Sequence, residues 1–254
     1  MNRAELTFTD DVAVITLHGD TPFNTLDDGV IDQLHLHLDD VARSDAAALF
    51  LRGGGSHFSA GGDLAHLTTL ADVIDTPEGR AHVTERLRHN AAVTEKLLAL
   101  DVVTVALIDG ACVGAALGLA SACDLRLATS RTILSTGFLQ LGLSADFGTA
   151  VLLPRVIGAS RAAQWLLAPT RRSADEGLAS GFLAAIVEAD ALEDHACTLT
   201  RDARRCPVGT ASMKSTLRAA SRMQLATELD AEVARFVKAL SDPRSRAAIA
   251  AAQR

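Results

Sequence analysis

Apolar residues along this chain recur first with a period of two and then with a helical period. Glu5 to Thr9 and Val12 to Leu17 are short stretches rich in β-branched residues, separated by Asp10-Asp11, and they predict an antiparallel hairpin. From Asp27 to Ala42 the spacing turns helical, with Val30, Ile31, Leu34, Leu38 and Val41 on one face. Ala46 to Leu51 reads as a strand, Gly53 to Asp63 as a loop, and residues 65–77 as a mobile connection. A long helix is expected from Pro77 to Leu100, then a strand at 102–108, a helix at 114–122 and a strand from Asp124 to Ala128. This alternation of strand, turn and helix predicts α/β layers, with helices covering a sheet. From Asp190 the pattern is helical only, rich in Ala, Leu, Arg and Glu, with one break at Cys206-Pro207. The shift divides a core over residues 1–189 from a C-terminal helical region over residues 190–254.

Composition narrows the class. The 254 residues are 48% hydrophobic and 22% charged, enough for one large core in a soluble protein. A formal net charge of −7 argues against nucleic acid and anionic membranes as partners, since both select basic surfaces. It leaves open an anionic small molecule, which needs only a few local cations. Cys112, Cys123, Cys197 and Cys206 form no CxxC pair, so reduced thiols are expected, with no metal site and no disulfide framework. Residues 1–20 carry acids and alternating apolar positions rather than a basic-then-apolar leader, and no apolar run is long enough to span a membrane. These features predict a cytoplasmic protein.

Two turns carry candidate chemistry. After the apolar run Val102 to Ile108, Asp109-Gly110 leads into a turn of small residues (Gly114, Ala115, Ala116, Gly118) that opens a helix. His57-Phe58-Ser59-Ala60-Gly61-Gly62-Asp63 follows the earlier strand in the same way. Turns without bulky side chains let a ligand approach bare N–H groups at a helix N-terminus, an arrangement that stabilises developing negative charge. Small residues after a strand also serve tight packing. His35 and His37 lie two apart, face apart on a helix, and are expected on its solvent side. His57 and His66 read as solvated loop residues, Cys112 as a small packed residue, Asp124 as a turn tether and Arg171-Arg172 as a solvated loop face.

Five segments in order resemble the enoyl-CoA hydratase/isomerase (crotonase) superfamily. They are Pro22 to Leu26 (PFNTL), His57 to Leu64 (HFSAGGDL), residues 108–128 (IDGACVGAALGLASACDLRLA), residues 138–162 (FLQLGLSADFGTAVLLPRVIGASRA) and residues 173–187 (SADEGLASGFLAAIV). The resemblance covers nearly the whole chain. It implies a spiral of ββα units with a C-terminal helical region that serves oligomerisation, assembled as homotrimers or dimers of trimers. It also implies an acyl-CoA thioester substrate, with coenzyme A entering as part of the substrate and no separate cofactor. The thioester oxygen would lie between the backbone N–H groups of Gly62 and Ala115, the second being Gly in most relatives. Asn24, Ala60, Asp63 and Leu64 are carried over as CoA-binding positions, with Lys214, Arg218 and Lys238 as candidates for the phosphates.

The acids separate the chemistries that the resemblance offers. The positions matching the two hydratase glutamates are Gly118 and Phe138, and neither can transfer a proton. Asp146 matches the aspartate of single-acid relatives, which serves as a proton shuttle in isomerases and as a nucleophile in a dehalogenase. Around it, Phe138, Leu141, Leu143 and Phe147 are expected to make a dry pocket that raises a carboxyl pKa, with Gly118 part of the same wall. The residues matching the dehalogenase's helper tryptophan and histidine are Phe138 and Ala91; His89 nearby reads as an exposed helix residue. Tyrosine-dependent decarboxylation is excluded, because the chain has no Tyr. An aspartate before a helix is also a good N-cap, so Asp146 is either a base or a cap. The expected activity is a 1,3-proton shift on an acyl-CoA. The alternatives are an idle acyl-CoA-binding or interaction protein and another thioester reaction, dehalogenase-like or ring-forming.

Overall fold

The structure, a computed structural model, describes residues 3–19, 22–221 and 225–252. The chain opens with the expected hairpin, β1 (Arg3–Thr9) and β2 (Val12–His18), paired antiparallel from Arg3 opposite His18 to Thr9 opposite Val12. Asp10, in the two-residue turn, has φ 52°, a left-handed conformation that aspartate accepts more readily than most side chains. Helix α1 (Asp28–Arg43) is capped by the Asp27 carboxylate, which accepts from the Val30 N–H. It buries the five apolar residues that its spacing singled out.

Strand β3 (Ala48–Gly53) begins two residues later than expected. Residues expected to be a mobile connection instead form helix α2 (Leu64–Val73), which buries Leu70 and Ala71. The missed signal is Asp63, whose carboxylate accepts from the N–H groups of Ala65 and His66 and starts the helix. Helix α3 (Pro77–Ala99) follows its Thr76 cap and N-terminal proline. Next come β4 (Val103–Ile108), β5 (Ala111–Val113), α4 (Ala115–Ala122), β6 (Leu125–Ala128) and β7 (Ile133–Ser135). A 3₁₀ turn at Phe138–Leu141 leads to α5 (Thr149–Ile157), α6 (Ala159–Leu167), β8 (Arg172–Ser173), α7 (Ala174–Ser180) and β9 (Ala185–Ile186). The remaining helices are α8 (Leu192–Leu199), α9 (Arg201–Arg205), α10 (Pro207–Ser221), α11 (Leu225–Leu240) and α12 (Pro243–Ala252).

The large sheet has the order β1-β2-β3-β4-β6-β9, parallel from β2 onward. Val14, Phe50 and Val105 stand in register across it. Both faces are covered, so the central strands are apolar throughout rather than alternating. Ile15, Leu49, Leu51 and Ala106 pack in one cluster with α1 and α4, while Val14, Phe50, Val105 and Leu127 pack with Leu192 and Ala196 of α8. A second sheet, β5-β7-β8, is extended by a parallel bridge from Cys112 to Ser59. Each repeat therefore runs from the large sheet into the small one and then into a helix: β3, Ser59, α2; β4, β5, α4; β6, β7, α5.

The last helices turn back onto this spiral. α11 packs on α3 and α5, and α12 on α2 and the 3₁₀ turn, around Leu87, Val233, Phe236 and Ile249. On α10, Lys214 bonds the Asp124 carboxylate at 2.5 Å and the Val102 carbonyl at 2.6 Å. Arg218 takes the carbonyls of Leu98, Ala99 and Leu100 at the end of α3 and pairs with Asp101 at 2.7 Å. Two of the three cations expected to meet CoA phosphates are therefore engaged in docking α10, while the third, Lys238, is exposed on α11. His35 and His37 are half-buried rather than on the solvent side. His35 stacks on His89, with ring centroids 4.2 Å apart, and His37 bonds the Ala4 carbonyl at 3.2 Å.

Candidate active site

The two turns after β3 and β5 are tied together by backbone. Ser59 N–H donates to Ala111 O at 2.9 Å, and Val113 N–H donates to Ser59 O at 3.1 Å. Gly61 has φ +84°, and a Cβ there would lie 2.5 Å from Val113 O and 3.1 Å from Ala115 N. Glycine at 61 therefore lets the two turns touch, which is the packing reading of a small residue. Gly62 differs: a Cβ there would meet nothing within 4 Å, so close packing does not account for it. Gly114 (φ +59°) precedes α4, and Ala115 opens that helix outside the left-handed region, so its methyl group adds no strain. Among the described residues, neither the Gly62 nor the Ala115 N–H has a protein acceptor, and the first N–H groups of a helix have none within it.

Both residues line a cavity of about 370 Å³, within the usual range for small-molecule sites. Ala60, Leu64, Phe138 and Leu143 line it as expected, and Asp146 is the one ionisable residue on its wall among those described. The remainder is mainly apolar, including Phe23, Leu67, Val113, Leu141 and Phe236.

Four expected positions are not on that wall. Asn24 is a buried strut with φ 47°; its side chain accepts from Gly19 N–H at 3.0 Å and donates to the carbonyls of Gly54 and His57 at 3.0 and 2.7 Å. Both polar side-chain atoms of Asn24 are thus engaged in fixing the first turn. Asp63 caps α2. Phe147 is a core residue, 2% exposed, with φ 51°, and its carbonyl accepts from Thr94 Oγ1 at 3.0 Å. Gly118 packs beneath it: a Cβ would lie 2.6 Å from Thr149 Oγ1 and 2.7 Å from Phe147 O. The position matching a hydratase glutamate thus has no room for a side chain, and the other match, Phe138, presents only a ring.

Asp146 is not the cap of α5. The cap position is Gly148, and among the described residues the Asp146 carboxylate accepts only from the next N–H, that of Phe147, at 2.6 Å. The side chain that does satisfy the start of α5 comes from α11. Glu232 accepts from Gly148 N–H at 2.6 Å and from Ala150 N–H at 3.0 Å. Burial, reinforced by the negative charge of Glu232, pushes the Asp146 carboxyl up to about 7, against the opposing pull of the Phe147 N–H. Burial raises Glu232 as well, opposed by its two backbone donors. Sequence reasoning missed Glu232 and Phe236. Their signal is an acid set among Leu229, Val233 and Phe236 on the apolar stripe of α11, with Phe236 one turn on.

Other polar residues settle into structural positions. His57 Nδ1 accepts from Ala111 N–H at 3.0 Å, and its ring stacks on Phe23 with centroids 5.0 Å apart. His66 lies 3.2 Å from the Asp28 carboxylate. His89 is half-buried and bonds Asp32 at 2.9 Å, so it faces α1 rather than the cavity. Cys112 is fully buried, and Asp124 ties the start of β4 to α10 through Thr104 and Lys214. Arg172 departs from the expected loop face: its guanidinium lies over the Trp165 ring at 5.3 Å.

Over residues 7–251 the chain matches the Enoyl-CoA hydratase/isomerase family. It is 32% identical over 136 residues to 4-chlorobenzoyl coenzyme A dehalogenase-1 of Arthrobacter sp, covering 54% of this chain and 48% of that protein. It is 30% identical over 147 residues to the peroxisomal Delta(3,5)-Delta(2,4)-dienoyl-CoA isomerase of Arabidopsis thaliana, covering 56% of this chain and 52% of that one. The chain thus spans about half the length of these curated relatives. Its fold matches the crystal structure of an enoyl-CoA hydratase from Bacillus halodurans with a TM-score of 0.88 at 23% identity, covering 98% of this chain and 99% of that one.

Proposed function

The chain belongs to the enoyl-CoA hydratase/isomerase family, and from that premise we propose that it is an acyl-CoA isomerase in which Asp146 moves a proton between C2 and C4 of an unsaturated thioester. One observation carries the reading: the cavity beside the two turns has a single ionisable group on its described wall, and that group is poised at about 7. A carboxyl poised near neutrality both takes and returns a proton at working pH.

In this reaction the Asp146 carboxylate removes a proton from C2 or C4. The C–H electron pair passes into the thioester carbonyl, the double bond moves, and an extended enolate forms. The Gly62 and Ala115 N–H groups donate to its oxygen, and one such donor is worth about 3 kcal/mol of barrier. The Asp146 carboxylic acid then returns the proton at the other end, so the net change is a 1,3-shift with no group gained or lost. Phe138, Leu141 and Leu143 keep water from quenching the enolate and hold Asp146 in the low-dielectric setting that raises its proton affinity.

Hydration needs a second proton-transfer group beside the substrate, and neither Gly118 nor Phe138 can be one. A dehalogenase-type attack would call on a helper tryptophan and histidine, and the positions matching them here are Phe138 and Ala91. CoA would run past Ala60 and Leu64, with Lys238 the remaining candidate of the three cations for its phosphates. The exposed Val208 and Met213 of α10 are apolar surface open to a second copy in the proposed homotrimer or dimer of trimers. Among the described residues no helix is long and apolar enough to cross a membrane. The test is proton NMR in D₂O of β,γ-unsaturated acyl-CoAs with the protein and its Asp146→Asn variant. Double-bond migration that the variant loses supports the proposal. Thermal protection by acyl-CoA without exchange would leave a binding protein.

A further inference from the structure

Glu232 takes no part in the proton transfer proposed above, yet it is 2% exposed and both of its oxygens are engaged. Its partners are unusual. Phe147 and Gly148 are consecutive residues with positive φ, 51° and 71°; at Phe147, which is not a glycine, such backbone persists only where its surroundings hold it. From inside, Asp146 O accepts from Thr149 N–H at 3.0 Å and from Thr149 Oγ1 at 2.6 Å, and Thr94 Oγ1 holds Phe147 O. From outside, the Glu232 carboxylate takes the Gly148 and Ala150 N–H groups, which no side chain at Gly148 could cap. One turn further along α11, Phe236 walls the cavity.

We infer that Glu232 is a positioning residue for the reaction: from α11 it clamps the turn that presents Asp146 and places a second buried carboxylate on the N–H next to the one Asp146 takes, so one helix both walls the cavity and sets the electrostatic surroundings of the base. The inference rests on Asp146 being the base.

The charge must be present for this to work. Burial acts most strongly on Glu232 and raises its proton affinity, while two backbone donors at the N-terminus of α5 and the charge of Arg235 on the same helix oppose it and favour the anion. Among the charged groups on the elements packed around it, Arg155 of α5 is exposed, and others are paired. Arg88 of α3 joins Glu95 and Asp230, at 3.0 and 2.5 Å, and Arg246 of α12 joins Asp75 at 2.6 Å. The repulsion felt by Asp146 therefore comes from Glu232, as the second cause after burial of its raised proton affinity.

The experiment is a pH titration of protein carrying ¹³C-labelled Asp and Glu carboxyls, followed by NMR. Asp146→Asn and Glu232→Gln identify the two signals, and isomerisation is measured across the same pH range. In the wild type, Glu232 is expected to ionise below Asp146. In Glu232→Gln the Asp146 midpoint is expected to fall, moving the acid limb of the rate profile to lower pH with it. An unmoved midpoint in a folded Glu232→Gln variant overturns the inference. So does a wild-type Glu232 still protonated at the Asp146 midpoint, a result that stands even if the variant does not fold. Isomerisation that survives in Asp146→Asn instead overturns the base assignment, whatever the two carboxyls show of each other.

Discussion

The raised proton affinity of Asp146 has a cost in stability that can be measured without any substrate. Its carboxyl sits at about 7 in the folded chain against an ordinary 3.8. Between those values the folded state holds a proton that the unfolded chain has released, so folding binds protons and stability falls as pH rises through that window. The ratio of proton affinities is on the order of a thousandfold, or about 4 kcal/mol once both states are ionised. At pH 5 only about 1–2 kcal/mol of this is felt, because the folded group is still protonated. Asp146→Asn removes the titration, while its amide oxygen can still accept from Phe147 N–H. Urea unfolding of both proteins at pH 5 and pH 8 should therefore give a stability difference that shifts by about 2–3 kcal/mol in favour of the variant at the higher pH. Taking the difference between the two pH values cancels the intrinsic effect of the amide. A difference that stays flat from pH 5 to pH 8 would refute the buried, proton-retaining Asp146.

Three further predictions follow from the same geometry. For the wild type, kcat/KM should rise tenfold per pH unit on the acid side and level off above about 7, since the free enzyme must be ionised at Asp146 to act as base; a profile flat from pH 5 to 8 contradicts this. Gly61→Ala places a methyl group 2.5 Å from Val113 O at φ +84°, forcing apart the turns that carry the two donors. It should cost about 1–3 kcal/mol in denaturant titration and slow turnover at least a hundredfold. Asn24→Ala breaks bonds to Gly19, Gly54 and His57 and should lower stability by about 2–4 kcal/mol. Once the variant is folded, its KM for acyl-CoA should stay within about threefold of the wild type; a KM raised tenfold with stability intact would return Asn24 to the CoA site.

The fold was legible where packing is local or continuous. The α1 stripe, the hairpin and the all-apolar strand β4 each follow from spacing alone, because one helical face or a doubly covered strand leaves a simple pattern. Helix α2 was missed because its stripe is short and its start is marked only by Asp63, a residue read instead as a ligand contact. The two turns after β3 and β5 could be located but not divided. That Gly61 is needed for contact and Gly62 is not depends on which atoms from a distant segment come near, which no local pattern encodes. Asp146 was legible through five ordered motifs, yet its surroundings were only half so. Phe147 and Gly118, neighbours in the pattern, turn into the core, while the wall and the clamp are completed by Phe236 and Glu232 from about ninety residues away. Long-range placement also engages Lys214 and Arg218 in docking α10, since each bonds carbonyl and carboxylate oxygens that only the folded chain brings near.

The central claim is that Asp146 shuttles a proton on an enolate held by the Gly62 and Ala115 N–H groups. Its most direct test is exchange at C2 of a β,γ-unsaturated acyl-CoA in D₂O, followed by NMR with the wild type and with Asp146→Asn at pH 8. The account predicts C2 exchange and double-bond migration with the wild type, reduced at least a thousandfold in a variant that is folded and still bound by acyl-CoA. Equal exchange rates for the two proteins would contradict it.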